Sequence, residues 1–249
     1  MQTGAVLTVS ESKRLIAKGV AAHPAVQRAL KSGLVAIAKG TTNSYVVEEI
    51  LGKPIEKTNY CTGTTWPTKG SRAGKVSGAI PDVVLRNGQP VEGATATGSV
   101  ADMKAGDVFI KGANAVNHAL KQAGLLIGHP TGGTLGATLG TLVARRIHLI
   151  IPVGLEKSVP GDIVELSRVL GRNDERVGTE PTLWPMFGDL VTEIEAIKLL
   201  TGADAVCVAA GGIGGAEGSV RLTITGDKGQ IDAVVRLLDS VYGEPAFVR

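Results

Sequence analysis

The chain has 249 residues, of which 43% are hydrophobic and 20% are charged. This composition is typical of a globular protein and excludes an intrinsically disordered chain. The formal net charge is +3, from 26 Lys and Arg against 23 Asp and Glu. Because the excess is small and the charges are interspersed, they do not form the clustered basic stripe of a nucleic-acid surface. We therefore expect no nucleic-acid partner.

The cysteines and the hydropathy of the chain predict a cytoplasmic protein. Cys61 and Cys207 lie far apart and lack the spacing of a disulfide framework or a zinc site. We therefore expect reduced thiols, no metal and no cofactor. No segment reaches the ~18 consecutive apolar residues of a membrane span, and the N-terminus lacks the pattern of a signal peptide. No membrane partner is expected.

The N-terminal region is predicted to form two helices before the first buried strand. Apolar residues recur at helical spacing between 10 and 32, and Ser10 or Ser12 is available as the N-cap. Because Pro24 cannot donate a hydrogen bond inside a helix, it should divide this region into two helices. Residues 34–38 are then predicted to form a buried strand.

A loop of small residues, Gly40-Thr41-Thr42-Asn43, separates this strand from a helix predicted over 45–51. In an open parallel sheet, ligands bind at the carboxyl ends of the strands, where helix N-termini favour anions. A glycine there lets the backbone approach a phosphate group, while hydroxyl groups donate hydrogen bonds without adding charge. The loop is therefore a candidate phosphate site, and the alternative is that Thr and Asn only cap the helix.

The middle of the chain repeats this order of elements. Residues 60–100 are predicted to be irregular, except for a hairpin at Asn87-Gly88. Further segments are a strand over 107–111, a loop over 112–117, a strand over 125–127, a second Gly/Thr loop over 128–134, a helix over 135–146 and a strand over 147–153. Such alternation predicts an α/β fold with an open, mostly parallel sheet and helices on both faces, which is Rossmann-like.

The C-terminal region has a different pattern. Its predicted elements are a helix over 188–201, a strand over 205–210, a glycine-rich segment over 211–218, a strand over 220–225 and a helix over 228–242. This order predicts a small α+β unit of ferredoxin-like type. We therefore predict an anion-binding domain over 1–170 and a lid-like domain over 181–249. The glycine-rich segment precedes a strand rather than a helix, which excludes a dinucleotide fingerprint.

The order of these motifs resembles the superfamily of ribose-5-phosphate isomerase A, glucosamine-6-phosphate deaminase and the CoA transferases. Residues 37–43 are similar to its phosphate loop, and residues 111–117 are similar to the isomerase segment Asp-Gly-Ala-Asp-Glu-Val-Asp. Lys157 lies near the lysine that follows a later strand of the isomerase, and residues 181–231 resemble its small lid domain. The resemblance implies a sugar-phosphate site and a homo-oligomer.

The chain departs from the isomerase at its acidic residues. Lys111, Asn114 and Asn117 stand where the isomerase segment has carboxylates, and no Glu occurs in 136–146. Loss of the general bases would lower the rate of a proton-transfer reaction by orders of magnitude. Ribose-5-phosphate isomerisation is therefore not expected.

Our main hypothesis is an isomerase, lyase or transferase that acts on a phosphorylated or otherwise anionic small metabolite. The candidate catalytic residues are Lys111, Asn114 and His129, of which His129 is a candidate acid or base because imidazole titrates near neutrality. The candidate ligand-binding residues are Gly40, Thr41, Thr42, Asn43, Ser44, Gly112, Asn117, Thr131, Gly132, Gly133, Thr134 and Lys157. The alternative is a non-catalytic ligand-binding or regulatory protein on the same scaffold, because one fold supports many functions.

Overall fold

The structure is a computed structural model, which describes residues 1–62, 65, 69, 80–175, 177 and 181–247. The strands within these residues are Gln2–Leu7 (β1), Leu34–Ile37 (β2), Val83–Arg86 (β3), Gln89–Pro90 (β4), Val108–Ile110 (β5), Ala115–Asn117 (β6), Gln122–Ile127 (β7), His148–Pro152 (β8), Thr182–Met186 (β9), Asp189–Val191 (β10), Asp204–Ala210 (β11) and Val220–Thr225 (β12). The α-helices are Val9–Ala22 (α1), Pro24–Ser32 (α2), Thr41–Leu51 (α3), Ala96–Ser99 (α4), Gly133–Ala144 (α5), Ile163–Leu170 (α6), Glu193–Thr201 (α7) and Lys228–Asp239 (α8).

The largest sheet formed by the described residues has the strand order β10-β8-β5-β2-β3-β4. Strands β10, β8, β5 and β2 are parallel, and β3 and β4 complete the edge as antiparallel strands. Alternate residues of β2 enter different cores, because side chains alternate across a strand. Val35 and Ile37 pack with residues of α1, and Leu34 and Ala36 pack with residues of α5. The predicted α/β class with a mostly parallel sheet is confirmed.

The predicted hairpin is also present. Strands β3 and β4 pair as antiparallel neighbours, and Arg86 is paired with Gln89. Asn87 and Gly88 between them both have positive φ, at 52° and 77°. This is the backbone conformation of the tight hairpin turn that an Asn-Gly pair favours. The Asn-Gly pair in the sequence therefore predicted the position of this hairpin correctly.

The described residues also form two smaller antiparallel sheets. Their strand pairing differs from what the sequence predicted. The first has the order β6-β7-β9 and the second has the order β1-β12-β11. The strand predicted over 125–127 is the end of β7, so the second Gly/Thr loop follows a strand outside the central sheet. The chain still returns to the central sheet, because α5 leads into β8.

Three predicted helix boundaries are also corrected. The N-cap of α1 is Thr8, in a capping box with Glu11, rather than Ser10 or Ser12, because β1 extends to the preceding residue. Helix α3 already begins within the small-residue loop. The helix predicted from residue 188 begins at Glu193, because β10 pairs with β8 and Thr192 forms a capping box that starts α7.

The two ends of the chain pack together. Strand β1 pairs along its length with β12, with Ala5 opposite Leu222. Helix α1 meets α7 at Gly19, where an added Cβ would lie 2.6 Å from the Cβ of Ala196. Residues of both ends share one hydrophobic core. The Rossmann-like and ferredoxin-like descriptions, and the division at 170 and 181, stay predictions.

Ionic contacts fix α3 against α1. The Arg14 guanidinium donates hydrogen bonds to Glu48 at 2.5 Å and to Glu49 at 3.0 Å, both on α3. It also donates to Glu244, in the C-terminal segment, at 2.9 Å. These contacts are largely shielded from water and hold the C-terminal half of α3 against α1, whereas the opposite end of the helix contributes to the site described below. A membrane-spanning helix is not found in the part of the chain that the structure describes.

The α1–α7 contact can be tested at Gly19. Gly19→Ala should lower the free energy of unfolding, because an added methyl group in a packed contact typically costs about 1–3 kcal/mol. This loss exceeds the gain of about 1 kcal/mol in helix propensity. Urea-induced unfolding measures the difference.

Gly140 on α5 is the matched control, because an added Cβ there would meet no atom within 4 Å. Gly140→Ala should therefore stabilise the protein by about 0.5–1 kcal/mol through helix propensity alone. A Gly19→Ala variant as stable as Gly140→Ala would contradict the close approach of the two helices.

Candidate functional site

A cavity of about 620 Å³ lies at the carboxyl edge of the central sheet. Its described lining comes from the ends of three parallel strands and from the β7–α5 connection. These lining residues are 39–43 after β2, 111–114 after β5, Lys157 after β8, 125–129 and 132–134 around the second Gly/Thr loop, and Thr62 and Thr65. The two Gly/Thr loops therefore face the same cavity, although their preceding strands belong to different sheets.

The first loop presents the N-terminus of α3 without a side-chain cap. The N-cap residue is Gly40, and no side chain accepts a hydrogen bond there. Asn43 instead donates its amide to Ala38 O at 2.7 Å and to Ile110 O at 3.3 Å. Ser44 donates its hydroxyl to Thr41 O at 2.7 Å. Neither Thr nor Asn therefore caps the helix, whose first N–H groups lack partners inside the helix.

Two buried oxygen atoms beside this helix end also have no hydrogen-bond partner within the described part of the chain. They are Thr42 Oγ1 and Asn43 Oδ1, for which the structure gives no hydrogen bond among the described residues. Thr42 is 2% exposed and Asn43 is fully buried. A buried polar group without a partner costs about 1–3 kcal/mol of folding free energy. Both residues line the cavity.

The second loop leads into the N-terminus of α5, which also has no side-chain cap. Its N-cap residue Gly132 has φ of 80°, and an added Cβ would lie 2.8 Å from the Trp184 ring. Glycine is therefore required by both conformation and space. The positive ends of the α3 and α5 dipoles thus both face the cavity, where an anion would be stabilised.

Lysine side chains add positive charge to the cavity. Lys39, Lys111 and Lys157 all line it, and its described lining residues include no Asp or Glu. Lys157 Nζ donates to Ala113 O at 2.9 Å. Burial and, to a lesser extent, the neighbouring Lys157 together lower the pKa of Lys111 to about 8. Burial also lowers the pKa of Lys157, although Glu156 opposes this effect.

The other candidate catalytic residues also line the cavity. Asn114 accepts the Leu126 N–H at 3.0 Å through Oδ1, so its side chain fixes the β7 edge of the cavity. His129 is exposed at the mouth, and its Nδ1 accepts the Thr131 N–H at 3.3 Å. Gly112 lies deeper, and an added Cβ would be 3.8 Å from Asn43 Oδ1.

Three candidate ligand-binding residues do not line this cavity. Ser44 is fully buried on α3, and its hydroxyl is used within the helix. Asn117 donates its amide to Gly161 O at 3.0 Å and accepts the Leu120 N–H at 3.1 Å, which uses the side chain in the fold. Thr131 lines an adjoining surface depression next to Trp184.

The structure adds lining residues that the sequence analysis missed. Lys39 directly precedes the first loop, so its position in the sequence could have indicated it. Thr62 and Thr65 lie in a stretch without a periodic pattern, and only the folded chain brings them to the cavity. Among the described residues, no group of three or more His, Cys, Asp or Glu side chains is arranged to hold a metal ion.

A buried charged cluster lies behind Lys157 and was also missed. Glu193, at the start of α7, is fully buried and accepts the Leu155 N–H at 3.0 Å. Lys13 Nζ on α1 lies 3.5 Å from Glu156 Oε1. Burial raises the pKa of Glu193 to about 7, and the negative charge of Glu156 adds to this effect. The cluster joins α1 and α7 to the turn that carries Lys157.

Glu193 should make folding stability depend on pH. Its pKa is about 7 in the folded chain and about 4.3 in an unfolded one. The folded state therefore binds the proton more tightly, so this stabilisation is full below about pH 4.3 and is lost as the pH rises through 7. Glu193→Gln should remove this dependence, which amounts to about 2–3 kcal/mol between pH 5 and pH 8.

Urea-induced unfolding at pH 5 and pH 8 measures this effect, as the difference between each variant and the wild-type protein. Glu92→Gln is the control, because Glu92 is exposed on the surface. Equal pH dependence in Glu193→Gln and the wild-type protein would show that Glu193 does not hold the proton.

Comparison with known proteins gives no match for the chain among protein-family models, curated proteins or solved structures. The resemblance to the isomerase superfamily therefore stays a prediction from the sequence. What the site can do rests on its geometry, which combines two uncapped helix ends, several lysines and an amine of lowered pKa.

Proposed function

We propose that the protein is an enzyme that binds a phosphorylated or carboxylated small metabolite in this cavity. One observation supports this proposal above the others. Two helix N-termini without side-chain caps and three lysines face one cavity, whose described lining includes no carboxylate. Such a cavity has a positive potential, and only an anionic ligand would be stabilised by it.

The ligand anion would lie between the two helix ends. The first N–H groups of α3 and α5 would donate to its oxygen atoms, as at other helix N-termini that bind phosphate. The Thr42 hydroxyl, which lacks a partner among the described residues, would donate a further hydrogen bond. Lys157, oriented by Ala113 O, would supply a charge-assisted hydrogen bond.

The same cavity favours an enzyme over a passive binding protein. Its volume of about 620 Å³ lies within the range of small-molecule sites, which is about 300–1,000 Å³. It contains an amine with a strongly lowered pKa, at Lys111, and an imidazole at its mouth, at His129. Titratable groups with perturbed pKa values in a cleft are typical of catalytic sites.

The finer assignments are part of this proposal. We propose a Rossmann-like anion-binding region, a ferredoxin-like C-terminal unit and a homo-oligomer, as the resemblance implies. Cys61 and Cys207 are thiols in the structure, which favours a reducing compartment such as the cytoplasm. The proposed substrates are sugar phosphates and phosphorylated acids, and ribose-5-phosphate isomerisation is not proposed, because the described lining has no carboxylate base.

The anion site can be tested at Lys157. Sugar phosphates, phosphorylated acids, nucleotides and acyl-CoAs would first be screened by thermal shift against the wild-type protein. Lys157→Met should then weaken binding of the selected ligand by about 10- to 100-fold in calorimetry, because hydrogen bonds to charged groups contribute about 1.5–3 kcal/mol. Lys53→Met, at an exposed position, is the matched control. The proposal fails when no ligand class binds or when both variants bind equally.

A second prediction concerns the buried hydroxyl of Thr42. Thr42→Val keeps the side-chain shape and removes an oxygen without a partner among the described residues. The ligand-free variant should therefore be as stable as the wild-type protein or up to about 1 kcal/mol more stable. Its affinity for the selected anion should fall at least about fivefold.

Urea-induced unfolding and calorimetry measure the two effects separately. Thr97→Val, at an exposed position, is the control for affinity. A Thr42→Val variant that loses stability but keeps its affinity would show that the hydroxyl has a structural role.

A further inference from the structure

Lys111 carries an amine that the described fold does not use. Its backbone N–H donates to Ile150 O at 3.0 Å, which fixes the residue directly after β5. Its side chain lines the cavity, and the structure gives Nζ no hydrogen bond or ion pair with a described residue. Lys157 and Lys13 differ in this respect, because Ala113 O and Glu156 contact their amines. The Lys111 amine is thus available to a ligand.

The surroundings of Lys111 favour its neutral form. Burial and the nearby Lys157 lower its pKa to about 8. About a tenth of the amine is then neutral at pH 7, which is on the order of a few hundred times the fraction for an ordinary lysine. Shielding from water and a neighbouring cation are the two means by which proteins activate a lysine as a nucleophile.

Apolar side chains also line the cavity that holds this amine. Ala113 follows Lys111 by two residues, and Leu125, Leu126 and Ile127 line the same cavity from β7. Water is less favoured beside such side chains, whereas the helix ends and Lys157 supply the polar contacts for an anion. The cavity therefore offers polar contacts for an anionic group and apolar contacts for the uncharged part of the same ligand.

We propose that Lys111 is a catalytic residue that forms a Schiff base with an aldehyde or ketone carrying a phosphate or carboxylate group. The inference rests on the proposed function for the position of the anion. Nζ donates its electron pair to the carbonyl carbon, and the carbonyl oxygen takes a proton to give a carbinolamine. Loss of the hydroxyl group and of a proton from Nζ, together as water, forms the C=N bond. Hydrolysis reverses both steps, so no oxidant or reductant is required.

The Schiff base indicates the class of reaction. A protonated C=N group withdraws electrons from the bonds next to the former carbonyl carbon, which stabilises a carbanion formed there. Cleavage of a C–H or C–C bond at that position is the chemistry of isomerases and lyases. Phosphoryl transfer does not use such an intermediate. The proposed Schiff base therefore favours isomerases, lyases and carbon-group transferases that act on carbonyl compounds over enzymes of phosphoryl transfer.

Trapping of the Schiff base tests the inference directly. The wild-type protein is incubated with dihydroxyacetone phosphate or with pyruvate in the presence of sodium cyanoborohydride, which reduces an imine to a stable amine. Intact-mass spectrometry should show the mass of the probe less one oxygen atom, and peptide mapping should place it on Lys111. Lys111→Arg, which keeps the charge, should lower this labelling at least about tenfold, whereas Lys53→Met should not.

A second measurement separates this inference from the proposed function. Dihydroxyacetone lacks the phosphate group and should label Lys111 more slowly than its phosphate ester, and Lys157→Met should remove that difference. Calorimetry with inorganic phosphate should show that Lys111→Arg still binds the anion. Phosphate binding without specific labelling of Lys111 by either probe would overturn the Schiff base and retain the anion site. Absence of both phosphate binding and labelling would overturn both proposals.

Discussion

The side-chain amide of Asn43 fixes the geometry on which the cavity depends. It donates to Ala38 O and Ile110 O, which lie at the ends of two neighbouring parallel strands. Tyr60 supports the same corner, because its hydroxyl donates to Ile37 O at 2.5 Å and its carbonyl oxygen accepts the Gly40 N–H at 3.0 Å. Because the Asn43 side chain is hydrogen-bonded to the strand ends, it does not cap α3. The first N–H groups of that helix therefore remain available.

Several features at this edge of the sheet are unfavourable for folding. They are the uncapped ends of α3 and α5, the Thr42 hydroxyl, which has no partner among the described residues, and the shielded amine of Lys111. Each costs stability, and all of them lie around one cavity, although the described residues also hold buried polar atoms without a partner elsewhere, at Tyr45 and Glu156. The cores on both faces of the sheet and the ionic contacts of Arg14 offset these costs. An anionic ligand would satisfy most of these groups together, which is why their common location supports a binding site.

The sequence predicted the parts of this structure that depend on local chemistry. The buried strands β2, β5 and β8 follow from apolar runs, the Asn87-Gly88 hairpin follows from its turn residues, and Pro24 separates α1 from α2. Pairing between distant segments was missed, because periodicity contains no information about the partner of a strand. The β1–β12 and β7–β9 pairings are of this kind, and they decide where the second Gly/Thr loop lies.

The candidate site shows the same division. Gly40 to Asn43 and Gly132 to Thr134 were identified from residue type and from their place before helices, and both line the cavity. Ser44 and Asn117 carry similar polar side chains, but both form hydrogen bonds within the fold and do not line the cavity. The rotational position of Ser44 on α3 and the backbone around β6 decide this, and neither can be read from residue type. The contact between the buried Glu193 and the partly buried Glu156 could not be found from sequence, because it depends on packing between α1, α7 and the turn after β8.

The segment 111–117 connects the resemblance to the chemistry. In the isomerase pattern this segment carries acids, and a carboxylate at position 111 would be ionised more readily beside Lys157 and two helix N-termini. A lysine at the same position experiences the same positive field with the opposite consequence, because that field disfavours its charged form. Burial, the larger cause at Lys111, disfavours the charged form of either group, so it adds to the activation of the amine but would raise the pKa of a carboxylate. In our proposal, a change of residue type at one strand end, with the anion loops retained, would replace general-base chemistry by nucleophilic chemistry on a carbonyl group.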